Sequence, residues 1–136
     1  MSGSSPHRVR VSHLFEEEPD SALMYYFILR GVDRFFSEFN TLPGMLEDHV
    51  EPDIGRLKGC VAKVLSEYGV SCGLGGKDDY VHEMCRVGGS ELHSMASIVG
   101  GCAAQEVIKL ITAQFVPINN LFIYNALTSE TMTLQV

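Results

Sequence analysis

Residues Glu91 to Asn125, ELHSMASIVGGCAAQEVIKLITAQFVPINNLFIYN, decide the fold class of this chain. Apolar residues recur at helical spacing through the first two-thirds of the stretch, so we predict one long buried helix, capped by Ser90. After Pro117 the spacing changes to that of a strand. The stretch contains no pattern typical of an active site.

Two adjacent glycines in the middle of this helix need a physical explanation. Gly100 and Gly101 each cost about 1 kcal/mol relative to alanine in a helix interior. Ala96, Gly100 and Ala104 lie four residues apart, and such a stripe of small residues lets another backbone approach closely. Two interpretations remain open: another element of this chain packs there, or a partner or missing domain does so.

We therefore predict a contact or packing surface on the long helix. Its small residues form the centre, and two polar residues form its edges. The predicted surface consists of Ala96, Gly100, Gly101 and Ala104, with Gln105 and Lys109 as the polar edges.

A pair of strands is predicted after the long helix. Leu121–Ala126 is strand-like, Leu127–Glu130 forms a turn, and Thr131–Val136 alternates polar with apolar residues. Two strands with one exposed face do not make a stable sheet alone. The hairpin therefore needs a larger sheet, or the helices, to cover it.

Three shorter helices are predicted upstream, over about 21–39, from Pro52 to Gly69, and over 78–87 with Asp78 as its cap. Residues 1–20 are predicted to be a disordered leader. The predicted buried faces are Ala22, Tyr25, Leu29, Val32, Phe36 and Phe39 in the first helix, and Ile54, Leu57, Val61, Leu65 and Tyr68 in the second. The fold class is therefore α+β, mainly helical with about four helices and a C-terminal pair of β-strands.

Composition excludes some functions and favours a location. The 136 residues carry a net charge of −7, which argues against a nucleic-acid groove. The four cysteines contain no CxxC pair, which favours a reduced protein in the cytoplasm and nucleus. Gln105, Glu106 and Lys109 interrupt the longest apolar run, so no membrane span is predicted.

The motifs that could carry chemistry each lack a required residue. In the loop GLGGKDD, Ser71 stands where a phosphate-binding loop needs its first glycine, and Asp78 stands where it needs a hydroxyl. His82 begins a zinc-like pattern, but Arg86 occupies the place of the second histidine. Cys102 lies among small apolar residues, which is typical of a core thiol. We predict no catalytic residue, no cofactor and no metal.

Several of these segments also resemble a known family. The segment ASIVGGCAAQEVIKLITAQFVPINNLFIYN (Ala96–Asn125) is similar to the end of the adenylation fold in activating enzymes of ubiquitin-like proteins. The segment KDDYVHEMCRVGGSELHSMAS, with RGVDRFF and the LPG turn, resembles the C-terminal region of the regulatory subunit of the neddylation-activating enzyme. The resemblance covers about residues 21–136. Relatives often carry a proline near Leu92 and His93, which this chain lacks.

This resemblance implies that the chain is the tail of a larger Rossmann-like pseudo-adenylation fold. Residues 21–76 would be the helical region of a cysteine-domain-like insertion, and residues 77–136 the C-terminal part of the pseudo-adenylation domain. The implied function is that of a non-catalytic regulatory subunit, as a fragment or short form, that binds the catalytic subunit. The ubiquitin-like protein is a second implied partner. No residue matches a family ATP contact, zinc ligand or thioester cysteine.

Two other classes of function stay open at the level of sequence. One is a small free-standing helical adaptor, or a competitor of the full-length subunit, with no activity of its own. The other is an enzyme with chemistry around Asp78, His82 and Cys85. No nucleic acid and no membrane are expected as partners in either case.

Overall fold

The structure is a computed structural model that describes residues 6–17, 22–71, 73–74 and 77–136. The chain divides into two compact units, Met1–Gly89 and Ser90–Val136. We call them the N-terminal unit and the C-terminal unit.

The N-terminal unit is helical throughout its described elements. The predicted helices over 21–39, from Pro52, and over 78–87 are all confirmed, the second beginning two residues earlier than expected. The elements are α1 (Pro6–Glu17), α2 (Leu23–Phe39), a 3-10 turn (Glu47–His49), α3 (Val50–Glu67) and α4 (Asp78–Val87).

Helix α1 lies where the sequence predicts a disordered leader. Val11 and Phe15, four residues apart, are both buried, and the Phe15 ring meets the edge of Phe27 at 5.0 Å between centroids. This apolar face is short and lies among polar residues, so the sequence shows no clear helical spacing of apolar residues there. The prediction is therefore wrong for residues 6–17, while residues 1–5 and 18–20 lie outside the described residues.

Helix α2 buries a different face from the predicted one. Leu29 is 54% exposed and Phe36 is 49% exposed, although both belong to the predicted stripe. At Gly31 an added Cβ would overlap Val61 Cγ2 of α3, so the absent side chain lets the two helices approach closely. The residues of α2 that are buried are Leu23, Met24, Phe27, Ile28, Gly31 and Phe35.

Helix α3 buries most of its predicted face. Its buried apolar residues include four of the five predicted residues, and the fifth, Tyr68, is half-buried. Gly69, the predicted end of the helix, has a left-handed conformation with φ of 76°, as is common for a glycine that follows a helix. The four confirmed residues are Ile54, Leu57, Val61 and Leu65.

A buried carboxylate holds the loop between α2 and α3. Asp53 is 3% exposed and accepts hydrogen bonds from the Gly44 amide and from Arg56 Nη1, each at 3.1 Å. Gly44 has φ of 73°, and an added Cβ would overlap the Cys85 carbonyl of α4. This loop is therefore fixed against both α3 and α4.

Both predicted helix caps are wrong. Asp78 is the first residue of α4 and pairs with Lys58 Nζ at 3.2 Å, while Lys77 occupies the cap position without a capping side-chain bond. The fifth helix begins at His93, with Leu92 at its cap position, so Ser90 lies too far upstream to serve it. A capping oxygen must directly precede the helix to reach its second or third N–H group.

The C-terminal unit consists of one long helix and a hairpin: α5 (His93–Thr112), β1 (Leu121–Asn125) and β2 (Glu130–Leu134). The strands pair antiparallel with Ile123 opposite Met132. The predicted strand pair is confirmed, with ends that differ by one or two residues. Five α-helices and one two-stranded sheet among the described residues fit the predicted α+β class. The larger Rossmann-like fold stays a prediction.

The boundary between the two units differs from the predicted domain boundary. The units separate after Gly89, whereas the sequence predicts a boundary between 76 and 77. Helix α4 belongs to the N-terminal unit because its Val81 and Cys85 are buried there. The assignment of either segment to an insertion or to an adenylation domain stays a prediction.

Candidate interaction surface

Helix α5 carries the predicted surface and is not buried. None of its twenty residues is buried, so the prediction of a buried helix is wrong. The helix ends at Thr112, and the next residue, Ala113, takes a left-handed conformation with φ of 53° and donates its N–H to the Lys109 carbonyl at 2.9 Å. A helix of 20 residues is about 30 Å long, so a long surface is available.

The small residues of the predicted surface face open space. At Gly100 and at Gly101, an added Cβ would have nothing within 4 Å outside its own helix backbone among the described residues. Ala96 and Ala104 are exposed as well. Within the C-terminal unit, the hairpin therefore does not pack on the glycines.

Large apolar side chains flank the small ones. Ile111 is 78% exposed and Leu110 is 66% exposed, and Val116 beyond the helix reaches 89%. A large exposed apolar patch is typical of a binding surface in soluble proteins, so these side chains are candidates for one. The exposed large residues are Leu92, Ile98, Val99, Val107, Ile108, Leu110, Ile111, Phe115 and Val116.

One polar edge of the surface is built into a local network. Lys109 Nζ donates to Glu106 Oε1 at 2.7 Å, and the Ile118 amide donates to Glu106 Oε2 at 2.7 Å. Glu106 therefore ties α5 to the segment that leads into β1. The hydrogen bond from Lys109, followed by the one from the Ile118 amide, lowers the pKa of Glu106. Gln105, the other predicted edge, is exposed.

Sequence reasoning missed the role of Glu106. The spacing of three residues between Glu106 and Lys109 could have predicted their ion pair, because oppositely charged residues at this spacing are neighbours on a helix surface. The bond to Ile118 spans twelve residues and an irregular segment, so no local pattern could reveal it.

A cavity lies between α5 and the hairpin. It has a volume of about 320 Å³. Its walls are mostly apolar and include Cys102, which is half-buried instead of lying in a core as predicted. The lining residues are Val99, Cys102, Ala103, Glu106, Ile118, Asn120 and Phe122.

Charge is nearly absent from the C-terminal unit. Its charged residues are Glu91, Glu106, Lys109 and Glu130, four among the residues 90–136. The whole chain has 10 basic and 17 acidic residues, so 23 of the 27 charged residues lie in the N-terminal unit. Depletion of charge is typical of the centre of protein interfaces.

The residues considered for an enzyme, Asp78, His82 and Cys85, all lie in α4. Burial, followed by the nearby Asp53 carboxylate, raises the pKa of the Cys85 thiol to about 11, which disfavours the reactive thiolate. His82 Nε2 is buried without a hydrogen-bond partner among the described residues. No group of three metal-ligating side chains occurs in the described part of the chain.

Helix α5 is also long and apolar enough to cross a membrane, judged by length and composition alone. No other helix of the described residues meets those criteria. The core helices of soluble proteins can meet them too, so this property alone is weak evidence for a span.

Sequence comparisons find several relatives that share one description, although no protein-family model matches the chain. It is 48% identical over 119 residues to the NEDD8-activating enzyme E1 regulatory subunit of Danio rerio, covering 88% of this chain and 22% of that protein. The Nedd8-activating enzyme E1 regulatory subunit of Drosophila melanogaster is 54% identical over 111 residues, covering 82% and 20%. The Arabidopsis thaliana NEDD8-activating enzyme E1 regulatory subunit AXR1 is 40% identical over 123 residues, covering 90% and 23%.

These identities extend over most of the chain and reach from animals to a plant. The chain spans only about a fifth of the length of these relatives, which is consistent with the predicted C-terminal portion. The resemblance that the sequence motifs indicated is therefore confirmed, and the chain belongs to the family of NEDD8-activating enzyme E1 regulatory subunits.

Proposed function

We propose that this chain is part of a non-catalytic regulatory subunit and that it acts by binding the catalytic subunit of the NEDD8-activating enzyme. The observation that carries the proposal is helix α5, which is apolar, uncovered and nearly free of charge in a chain of this family. The role in neddylation and the catalytic partner are the functions that the names of its relatives suggest.

The exposed surface of the C-terminal unit supports a protein as the ligand. Every buried apolar residue among the described residues lies in the N-terminal unit, so that unit has a core of its own. The C-terminal unit instead presents large side chains to solvent. Burial of apolar surface contributes roughly 25 cal/mol per Å², so an interface that covers α5 would be strongly favourable.

The small residues give the surface a shape that favours close packing. With no side chains at Gly100 and Gly101, a partner helix or strand can approach the backbone of α5. Gln105 and Lys109 would lie at the edge of that contact, as the sequence predicts. The pairing of Lys109 with Glu106 neutralises both charges, which lowers the cost of removing water there.

Binding to the purified catalytic subunit tests the proposal. We expect the chain to co-elute with it in size-exclusion chromatography, and an Ile108→Lys/Ile111→Lys variant to lose the complex. Thr131→Lys/Thr133→Lys in β2 is the matched control, since it adds the same two charges at other exposed sites of the same unit. Absence of any complex with the wild-type chain would refute the proposed function.

An activity assay tests the non-catalytic part of the proposal. We expect no ATP–pyrophosphate exchange above background from the chain alone. Exchange that disappears in a His82→Ala or Cys85→Ala variant would instead support the enzyme interpretation. Circular dichroism of both variants would verify that they remain folded.

A second candidate is competition with a full-length regulatory subunit. It is favoured by helix α5, none of whose residues is buried. In a reconstituted reaction, added chain would then reduce NEDD8 activation in proportion to its concentration. An unchanged rate at saturating chain would count against competition.

We also propose that the protein works in the cytoplasm and nucleus without binding a membrane or nucleic acid. The free, buried thiols of Cys60 and Cys85 and the net negative charge support this location and the absence of nucleic acid. The open backbone edge of β1 next to α5 argues against lipid, which cannot satisfy N–H and C=O groups. Flotation with phosphatidylcholine vesicles tests the last point, and co-flotation would contradict it.

A further inference from the structure

Helix α1 contacts the rest of the N-terminal unit through a narrow apolar face. Val11 and Phe15, four residues apart and each 1% exposed, lie on this face. Arg10, His13 and Glu17 are exposed and lie away from it. Helix α1 therefore has the anchor spacing of an amphipathic helix that binds in a groove.

The aromatic side chains that Phe15 meets belong to α2 and to the end of α3. The Phe15 ring packs edge-on with the ring of Phe27 at 5.0 Å, and Phe27 packs edge-on with Tyr68 at 5.3 Å. Tyr68 directly follows α3, and its hydroxyl forms a hydrogen bond of 2.8 Å with the hydroxyl of Tyr26. The contacts of Tyr68 with Phe27 and Tyr26 join α2 to the end of α3 without α1.

Helix α1 has little stability of its own. It contains twelve residues, and isolated helices shorter than about 12–15 residues are marginal in water. Its first turn has no acidic residue and its last turn has no basic residue. Glu17 instead places a negative charge at the negative end of the helix dipole, which disfavours the helix. The helical state of α1 therefore depends on the burial of its two anchors.

The other helices of the N-terminal unit are joined by contacts that do not include α1. Gly31 of α2 lies against Val61 of α3, with no side chain between them. Lys58 Nζ of α3 pairs with the Asp78 carboxylate of α4 at 3.2 Å. The buried Asp53 of α3 accepts the hydrogen bond that holds the loop after α2. Loss of α1 would remove none of these contacts.

The two parts of the unit therefore differ in how strongly they are held. Segments with few buried apolar contacts open locally at a lower free energy than the core of the same protein. Helix α1 has two such anchors, whereas α2 alone has six buried residues. Opening of α1 would uncover Phe27, which is 0% exposed when α1 is in place.

We propose that α1 is a detachable strap: it leaves the folded bundle of α2, α3 and α4, and the site beneath it binds an amphipathic helix with an aliphatic and an aromatic residue four positions apart. The occupant in this structure, α1 itself, defines that chemistry through Val11 and Phe15. A helix of another protein with the same anchors would compete with α1 for Phe27. The strap does not depend on the proposed binding of the catalytic subunit, because that surface lies on α5.

Hydrogen exchange of the wild-type chain at low urea concentrations tests the detachment. After correction for intrinsic exchange, the amides of residues 10–17 should have an opening constant at least about tenfold larger than that of the Val61 amide, with a weaker dependence on urea. One shared opening constant and one shared urea dependence would overturn the proposal, because α1 would then unfold only with the whole unit.

A variant of the full chain tests whether the bundle remains folded without the strap. Val11→Ala/Phe15→Ala removes both anchors, so residues 10–17 should lose protection while the Val61 amide keeps it. Loss of protection at Val61 as well would overturn the proposal, because the bundle would then require α1.

A peptide with the sequence of residues 6–17 tests the site on this variant. We expect it to shift the NMR signals of Phe27 and Tyr68, and to bind the wild-type chain more weakly because α1 already occupies the site. A peptide with Phe15→Ala should bind at least about 100-fold more weakly. A peptide with Leu14→Ala is the matched control and should bind within about threefold of the unchanged peptide, because Leu14 is 36% exposed. No shift at millimolar peptide, or equal binding of the Phe15→Ala peptide, would overturn the proposal.

Discussion

Replacement of Gly100 and Gly101 by alanine is expected to have opposite effects on the free chain and on its complex. In the free chain nothing lies within 4 Å of either new Cβ outside the helix backbone, so alanine costs no packing. Each glycine disfavours a helix interior by about 1 kcal/mol relative to alanine. The double variant should therefore stabilise α5 by about 2 kcal/mol against local unfolding.

In the complex the same methyl groups would occupy the space that a closely packed partner needs. Overpacking of a well-packed contact costs about 1–3 kcal/mol. The dissociation constant for the catalytic subunit should therefore rise by about 5-fold to about 150-fold. A rise in this dissociation constant would thus indicate a contact surface, whereas an unchanged dissociation constant would indicate a helix face that stays in solvent.

Two measurements on the same variants provide the test. Hydrogen exchange reports the local stability of α5 in the free chain, and isothermal titration calorimetry reports binding to the catalytic subunit. Gly59→Ala in α3 is the matched control, because an added Cβ there also meets nothing within 4 Å. It should stabilise α3 by about 1 kcal/mol and leave binding unchanged.

The refuting result is specific. If the double variant binds the catalytic subunit as tightly as the wild-type chain, the small residues are not a close contact. Weaker binding of the Gly59→Ala variant by the same factor would also refute the contact on α5, because the loss of binding would then not depend on the position of the substitution.

Three further predictions concern the packing and the ionisable groups. Gly31→Ala should lower the free energy of unfolding in urea by about 1–3 kcal/mol, because the new methyl group overlaps Val61. Full stability would refute the close helix contact. The loss should be smaller when Gly31→Ala is made in a Val61→Ala background, where the overlapping methyl group is absent. Burial and a nearby carboxylate raise the pKa of the Cys85 thiol to about 11. This thiol should therefore resist thiol reagents near neutral pH and react once urea unfolds the chain. Rapid labelling of the folded protein would contradict this prediction. The lowered pKa of Glu106 means that its carboxylate stabilises the folded state above its ordinary pKa, and that this stabilisation is lost as pH falls through the lowered value. Hydrogen exchange at the Ile118 amide, with its rate corrected for intrinsic exchange, should lose protection in that acidic range. In Glu106→Ala the same amide should be unprotected at all pH values. Protection of the wild-type amide that does not change with pH would refute this prediction.

The helix periodicity of α2 shows what local pattern can and cannot decide. Apolar residues occupy so much of its circumference that two overlapping stripes both have helical spacing. The chosen stripe contains Leu29 and Phe36, which are exposed. The buried face instead includes Gly31, because a residue without a side chain allows α3 to come close.

The interaction surface on α5 was predicted from its glycines and not from apolar spacing. The glycine pair in α5 implied a neighbour, and among the described residues the chain supplies none. The location of a binding surface on α5 stays a prediction from the local sequence. The local sequence could not reveal that Glu106 holds Ile118, because that hydrogen bond depends on the path of an irregular segment.

The sequence alone determined the order and type of most elements and the family to which the chain belongs. Periodicity, glycines and prolines act over a few residues, so α2, α3, α4, α5 and the hairpin were all predictable near their observed positions. Only the tertiary structure decided that α1 folds onto Phe27, which face of α2 is buried, and that α5 is left uncovered. Those outcomes depend on burial against distant residues, and burial is a property of the packed chain that no short stretch of sequence contains.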